Sequence, residues 1–329
     1  MRPCISRGRV ISSTESGPRA GQAFVLAAGI GIGALTAIQS RANGSLAADL
    51  GSGLHAAVVS FGVGLVVLGL LAAASARLRR AIRSVVSGLR DRSLPRWQVL
   101  GGVLGALFIL SQSVSVPTIG VALFAVSLVA GQNTASLLVD AWGLGPRGKQ
   151  PISSYRFLSA GLGILAVVAA TSGRLGSEDF SLPFVLLVVV AGIGVAFQQA
   201  MNARVVARTG EPLTASYVTF IGGGLLLGVI LAIQTVAAGS TLQPLPAWPL
   251  WLYLGGLIGA VWVATAAWVV GRTGVLALGL LTTAGQLLGA LVLDLLLTDV
   301  VDVHLLVGMT LAFLAVAVAP GPQYWRRSR

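Results

Sequence analysis

Long apolar stretches separated by short polar breaks set the pattern of this chain. Residues 22–40, 56–76, 97–139, 157–171, 181–203, 212–270 and 273–293 carry no Asp, Glu, Lys or Arg. Crossing the hydrocarbon core of a bilayer as a helix takes about 20 residues. A membrane barrel would alternate apolar and polar positions over about ten residues, and these runs do not. The pattern predicts an all-α polytopic membrane protein. Its ten helices are expected over 22–40, 54–75, 97–114, 118–141, 156–172, 182–201, 213–236, 249–270, 274–297 and 303–320. The 97–139 run is too long for one crossing, and Pro117 and Gly120 in SVSVPTIG are suited to break it.

The polar positions inside these runs recur. GALTAIQSRANGSLAADLGSGLHAAVVSF, from Gly33, returns 159 residues later as GIGVAFQQAMNARVVARTGEPLTASYVTF. Gln39 meets Gln198, Asn43 meets Asn202, Gly51 meets Gly210 and Phe61 meets Phe220. Beyond the second helix the shift becomes 154. Trp97 then meets Trp251, Gly101-Gly102 meets Gly255-Gly256, and Gly131-Gln132 meets Gly285-Gln286. Gly120 meets Gly274 and Asp140 meets Asp294. Each unit holds five predicted helices, an odd number, so the second unit enters the membrane from the opposite side. The expected architecture is two inverted five-helix repeats, 22–172 and 182–320, joined by an external linker 173–181. A disordered cytoplasmic tail, 1–21, and a basic tail, 321–329, flank them. Inverted repeats are common in secondary transporters, which bind near the midplane between the halves.

Charge fits this alternation. With residue 1 in the cytoplasm, only Arg41 and Arg174 of the 22 basic residues fall outside. Such a bias marks cytoplasmic segments. Both termini are then cytoplasmic, as expected of a multi-pass protein of the bacterial inner membrane. The net charge of +12 would suggest nucleic acid in a soluble protein. Here topology accounts for it, and no nucleic-acid partner is expected. The arginine-rich 77–96 loop is placed to touch anionic lipid. The 43 glycines, many in small-x-small spacing, suit close helix packing in lipid.

Polar side chains inside the bilayer are costly, and each calls for a partner. Gln39 and Asn43 are predicted at the outer end of the first helix, with Gln198, Gln199 and Asn202 at the inner end of the sixth. They either bond between helices, cap the next turn, or face a polar solute. Gln132, Asn133 and Gln286 lie nearer the middle of their helices and are midplane candidates, with Thr283 one turn before Gln286. Gln112 and Trp262 are further pathway candidates. Asp140 and Asp294 are preserved by the repeat, with no basic residue nearby in their own helices. They are candidates for proton or ion coupling, as gate elements at opposite faces. No buried Lys or Arg is predicted to neutralise an anion. The solute is therefore expected to be small and neutral, zwitterionic or weakly cationic.

One cysteine and two histidines make a metal cluster unexpected. No phosphate loop, His-Glu-x-x-His or serine elbow is present. No enzyme activity and no cofactor are expected. A secondary transporter is the main reading, with a channel or a non-transporting scaffold as the alternatives.

The doubled motif G-x(5)-Q-x(3)-N-x(7)-G-x(8)-[ST]-F, from Gly33 and from Gly192, resembles the bacterial YdcZ family of inner-membrane proteins. The Trp-x-x-Leu-Gly-Gly segments, the Gly-Gln pairs, Asp140 and Asp294 fit the same resemblance. That family is a branch of the drug/metabolite transporter superfamily, similar to EamA-type carriers. Its common unit is a five-helix chain, so the resemblance implies a fused tandem of two units. The superfamily's small multidrug exporters use a glutamate in the first helix. This chain has none there, which argues against drug/proton exchange by that residue.

Overall fold

The structure is a computed structural model. It describes residues 17–145, 148–149, 153–173, 181–239, 241–247, 249–273, 275–297 and 303–318. The expected tail 321–329 and most of the linker 173–181 and of the tail 1–21 lie outside the described residues. The described residues form helices α1 (Gly17–Leu50), α2 (Gly53–Ala74), α3 (Ala76–Arg90), α4 (Gly101–Ala141) and α5 (Ser154–Ser172). They continue with α6 (Leu182–Thr209), α7 (Pro212–Ala238), α8 (Leu254–Thr273), α9 (Val275–Leu297) and α10 (Val303–Val318). Eight are long and apolar enough to cross a membrane, and α10 is a shorter apolar helix. The protein is a polytopic all-α membrane protein.

Two helices run further than hydropathy predicts. α1 passes through Gln39 and Asn43 to Leu50, and α6 passes through Gln198 and Asn202 to Thr209. The amides are thus inside helices and do not cap the next turn. Polar side chains with lateral partners do not stop a helix; a left-handed residue does. Gly51 (φ 61°) follows α1, and Gly210 (φ 64°) follows α6. These two glycines match each other in the repeat.

The predicted break in the 97–139 run is present as a kink. Pro117 lies inside α4, and Gly120 departs from helical geometry at φ 77°, ψ 168°. Proline removes one ladder hydrogen bond and crowds the preceding turn, and glycine alone takes that φ without strain. The segments before and after Gly120 are called α4a and α4b. In the matching register α8 ends at Thr273 and α9 begins at Val275.

The expected 77–96 loop is a correction. Most of it is α3, whose buried positions are Leu78, Ala81, Val85 and Gly88. That spacing gives one apolar stripe on a helix, with the arginines turned away from it. Ser75 closes α2 and caps α3, accepting from the Leu78 N–H at 3.2 Å. Arg77 pairs with Glu211 at 2.7 Å, and Arg208 donates to the Ser93 hydroxyl at 2.7 Å.

Backbones touch where glycines recur. α1 packs along α9, α4 along α6, α2 against α7 and α5 against α10. A Cβ on Gly33 would strike the Thr282 carbonyl, and one on Gly192 the Leu128 carbonyl. Gly285 presses on the Ile30 carbonyl, and Gly131 on that of Val189. Every one of these contacts has its counterpart at the shifts of 159 and 154. Phe61 and Phe220 stack at 4.9 Å between α2 and α7, with Leu68 and Leu227 buried nearby. Phe24, Leu70, Leu225, Val236 and Leu296 point outward, as a lipid-facing surface requires.

Candidate functional site

The repeated amides of each half lie against the repeated glycines of the other. Asn43 of α1 faces Gly255, and Gln39 faces Gly259, where a Cβ would come to 3.0 Å of Nε2. Asn202 of α6 faces Gly101, and Gln198 faces Gly105, where a Cβ would come to 2.8 Å of Nε2. Glycine on the partner helix makes the room that a long amide needs beside a helix backbone. The expectation of one pair near each mouth is corrected here, because Gln39 and Gln198 line one cavity of about 20 Å³. Apart from Thr219, its other walls come in repeat-matched pairs: Phe61 with Phe220, Gly105 with Gly259, Phe108 with Trp262, Ile109 with Val263. Trp262 is buried, and its Nε1 has no bond partner.

Around this cavity the two halves satisfy their amides differently. Asn43 donates to the Gln112 Oε1 at 2.8 Å, and Gln112 donates in turn to the Ser40 hydroxyl at 2.8 Å. All three side chains are buried. In the second half the place of Gln112 is taken by Ala266, and that of Ser40 by Gln199. Asn202 accepts from the Thr219 hydroxyl at 3.1 Å instead. The Nε2 of Gln199 is buried without a partner.

A second cavity, also about 20 Å³, lies between α4b, α5, α6 and α9. It brings together Gln132, Asn133 and Gln199, with Ser136, Ser159 and Arg156, against Gly279 and Leu280. Arg156 overturns the expectation that no basic residue is buried. It is 8% exposed, in the first turn of α5, and pairs through Nη2 with Asp140 Oδ2 near the end of α4b. The fold explains the miss. The spacing of 16 residues carries the chain from the end of one helix to the start of the next, and the two charges meet across that seam. Thr283 and Gln286 line neither of these cavities. Both are buried on α9, with Thr283 Oγ1 and Gln286 Nε2 unpartnered. Asp294 is half-buried on α9.

A wider cavity of 450 Å³ opens at the end of the molecule where α1 stops, α2 starts and α7 ends. Asp49, Ser52, His55, Gln234 and Thr235 line it. The matching end of the other half, where α6 stops and α7 starts, is bound to α3 through the Arg77–Glu211 pair. Sequence reasoning missed Phe61, Phe108, Phe220, Thr219, Ser136, Ser159 and Arg156 as wall residues. The repeat contained a signal for Phe61 and Phe220, and the presence of Trp262 at the position matching Phe108 hid the second aromatic pair. Among the described residues no group of three or more His, Cys, Asp or Glu side chains is placed to hold a metal.

The family model described as "Putative inner membrane exporter, YdcZ" matches residues 24–169 and 183–319. No curated protein matches the chain significantly. A solved structure described as "Crystal structure of protein" superposes with a TM-score of 0.54 at 18% identity, covering 94% of this chain and 99% of that one. At that identity the likeness speaks for the fold alone.

Proposed function

From the membership of this chain in the YdcZ family of inner-membrane proteins, which carries a general role in membrane transport, we propose that it is a secondary transporter working by alternating access. The two five-helix units, read as inverted repeats with ten crossings and both termini in the cytoplasm, rearrange around a small neutral, zwitterionic or weakly cationic solute. The carrying observation is the central cavity, walled by Gln39 with Gln198 and by matched aromatic and glycine pairs. A site built from equivalent residues of two halves is what exchange between two openings related by a pseudo-two-fold axis needs. The open 450 Å³ cavity at one end and the α3-bound opposite end support reading this conformation as closed on the α3 side. The solute crosses unaltered. Asp140 and Asp294 are the proposed coupling residues, with a proton gradient or the solute's own gradient as the driving force.

The test is flux from proteoliposomes loaded with a panel of small metabolites, with and without a pH gradient. Saturable movement of some member, reduced by Gln39→Leu and by Gln198→Leu, is the expected result. Folded protein that moves no solute would count against the carrier reading.

A further inference from the structure

Three residues that line the cavity between α4b, α5, α6 and α9 each carry a buried nitrogen donor without a partner: Asn133 Nδ2, Gln199 Nε2 and Arg156 Nε. Gln199 is 4% exposed and Arg156 8%. A buried donor left without an acceptor has lost its water without replacing it, which is unfavourable until an acceptor arrives. The three sit on three different helices, one of them in the second half, and their meeting is a product of the fold. Gln199 has been freed for this role by the exchange of Gln112 for Ala266 in the second half.

The charge of the site narrows what it takes. Among the described residues Arg156 is the only charged side chain lining the cavity, and Asp140 engages its Nη2, leaving Nε free. The pair is neutral as a whole. A carboxylate or phosphate entering would add an uncompensated charge to a buried place, at a cost of several kcal/mol. A carbonyl oxygen accepts two or more hydrogen bonds and brings no net charge.

We propose that this cavity is a subsite for an uncharged hydrogen-bond acceptor, the carbonyl or carboxamide oxygen of a solute, held by Arg156 Nε, Gln199 and Asn133. The space, about 20 Å³, fits one functional group. The inference rests on the transporter reading for its purpose but not for its chemistry. It adds to that reading that transported solutes carry a neutral acceptor.

Formamide and formate form the smallest matched pair of probes. Saturation-transfer NMR on their formyl protons, with the full chain in lipid nanodiscs, reads binding directly. Formamide should bind, and formate should bind at least about tenfold more weakly. Gln199→Leu and Asn133→Leu should each weaken formamide about tenfold. The double variant Asp140→Asn/Arg156→Gln, which leaves no charge behind, should weaken it further. Equal binding of formate and formamide would overturn the proposal. So would formamide binding indifferent to Gln199→Leu, or no binding of either probe to folded protein. Formamide binding together with a flux assay in which no solute moves would keep the subsite and remove the carrier reading.

Discussion

The two halves place their polar groups on the same scaffold and use them differently. In the first, Asn43, Gln112 and Ser40 form a hydrogen-bonded chain that ties α1 to α4a. In the second, Ala266 and Gln199 stand at the matching positions, and Gln199 turns its amide to a cavity. One exchange of two side chains separates a structural bond from an unpartnered donor. The difference teaches that an intramembrane amide has no fixed role. Its role follows from whether the facing helix supplies a partner.

The comparison can be broken at several strengths. The largest effect is expected at the buried ion pair. Asp140→Asn strands the Arg156 guanidinium and should cost about 3–5 kcal/mol, read as lost thermal stability in nanodiscs. Asp140→Asn/Arg156→Gln should recover most of it. At the matching but half-buried position, Asp294→Asn should cost less. Next comes the backbone contact between halves. Gly33→Ala puts a Cβ onto the Thr282 carbonyl and should cost about 1–3 kcal/mol by overpacking, as should Gly192→Ala. Gly31→Ala, two residues before Gly33 on the same helix but facing open space, should leave stability unchanged. Equal effects at Gly31 and Gly33 would refute the close approach of α1 and α9.

Smaller effects separate the two amide environments. Gln112→Leu breaks two bonds and should destabilise by about 1–2 kcal/mol. Gln199→Leu removes a donor without a partner and should leave stability the same or higher. Transplanting the first-half arrangement with Gln199→Ser and Ala266→Gln should restore a bond to Asn202, seen as added thermal stability. The smallest effect lies outside the membrane. The hydrogen bonds from the Ser93 side chain and backbone N–H hold the Asp91 carboxyl below its ordinary range. A depressed carboxylate stabilises above its unfolded pKa and loses that contribution as the pH falls through the folded value. The protection of the Ser93 amide, its exchange rate set against that of an unstructured peptide at the same pH, should therefore be greatest near neutrality and fall in acid.

Much of the fold was legible because lipid allows few solutions. Charge-free runs marked the spanning helices, and Pro117 with Gly120 marked the kink. The helix ends were misplaced because Gln39, Asn43, Gln198 and Asn202 read as polar termini. Their partners lie on other helices, and only Gly51 and Gly210 marked the true stops. α3 was hidden by its arginines, although Leu78, Ala81 and Val85 hold a helical stripe. The repeat pointed to the residues that build the central cavity but not to their meeting. Gln39 and Gln198 were assigned to opposite mouths, whereas they share one wall. The Arg156–Asp140 pair depends on the angle between α4b and α5, which no spacing encodes.

The central claim is that the two ends open in turn around the shared cavity. The wild-type chain has one cysteine, Cys4, so a Cys4→Ser background is suited to thiol labelling. Ala48→Cys reports on the wide cavity at the α1–α2 end, and Ser136→Cys on the cavity beside Arg156. Labelling rates with a membrane-impermeant maleimide are to be measured from each side, with and without a transported solute or an imposed gradient. The account predicts opposite changes: whatever slows Ala48→Cys speeds Ser136→Cys. Rates that rise together, as in a channel, or that never respond, would contradict it.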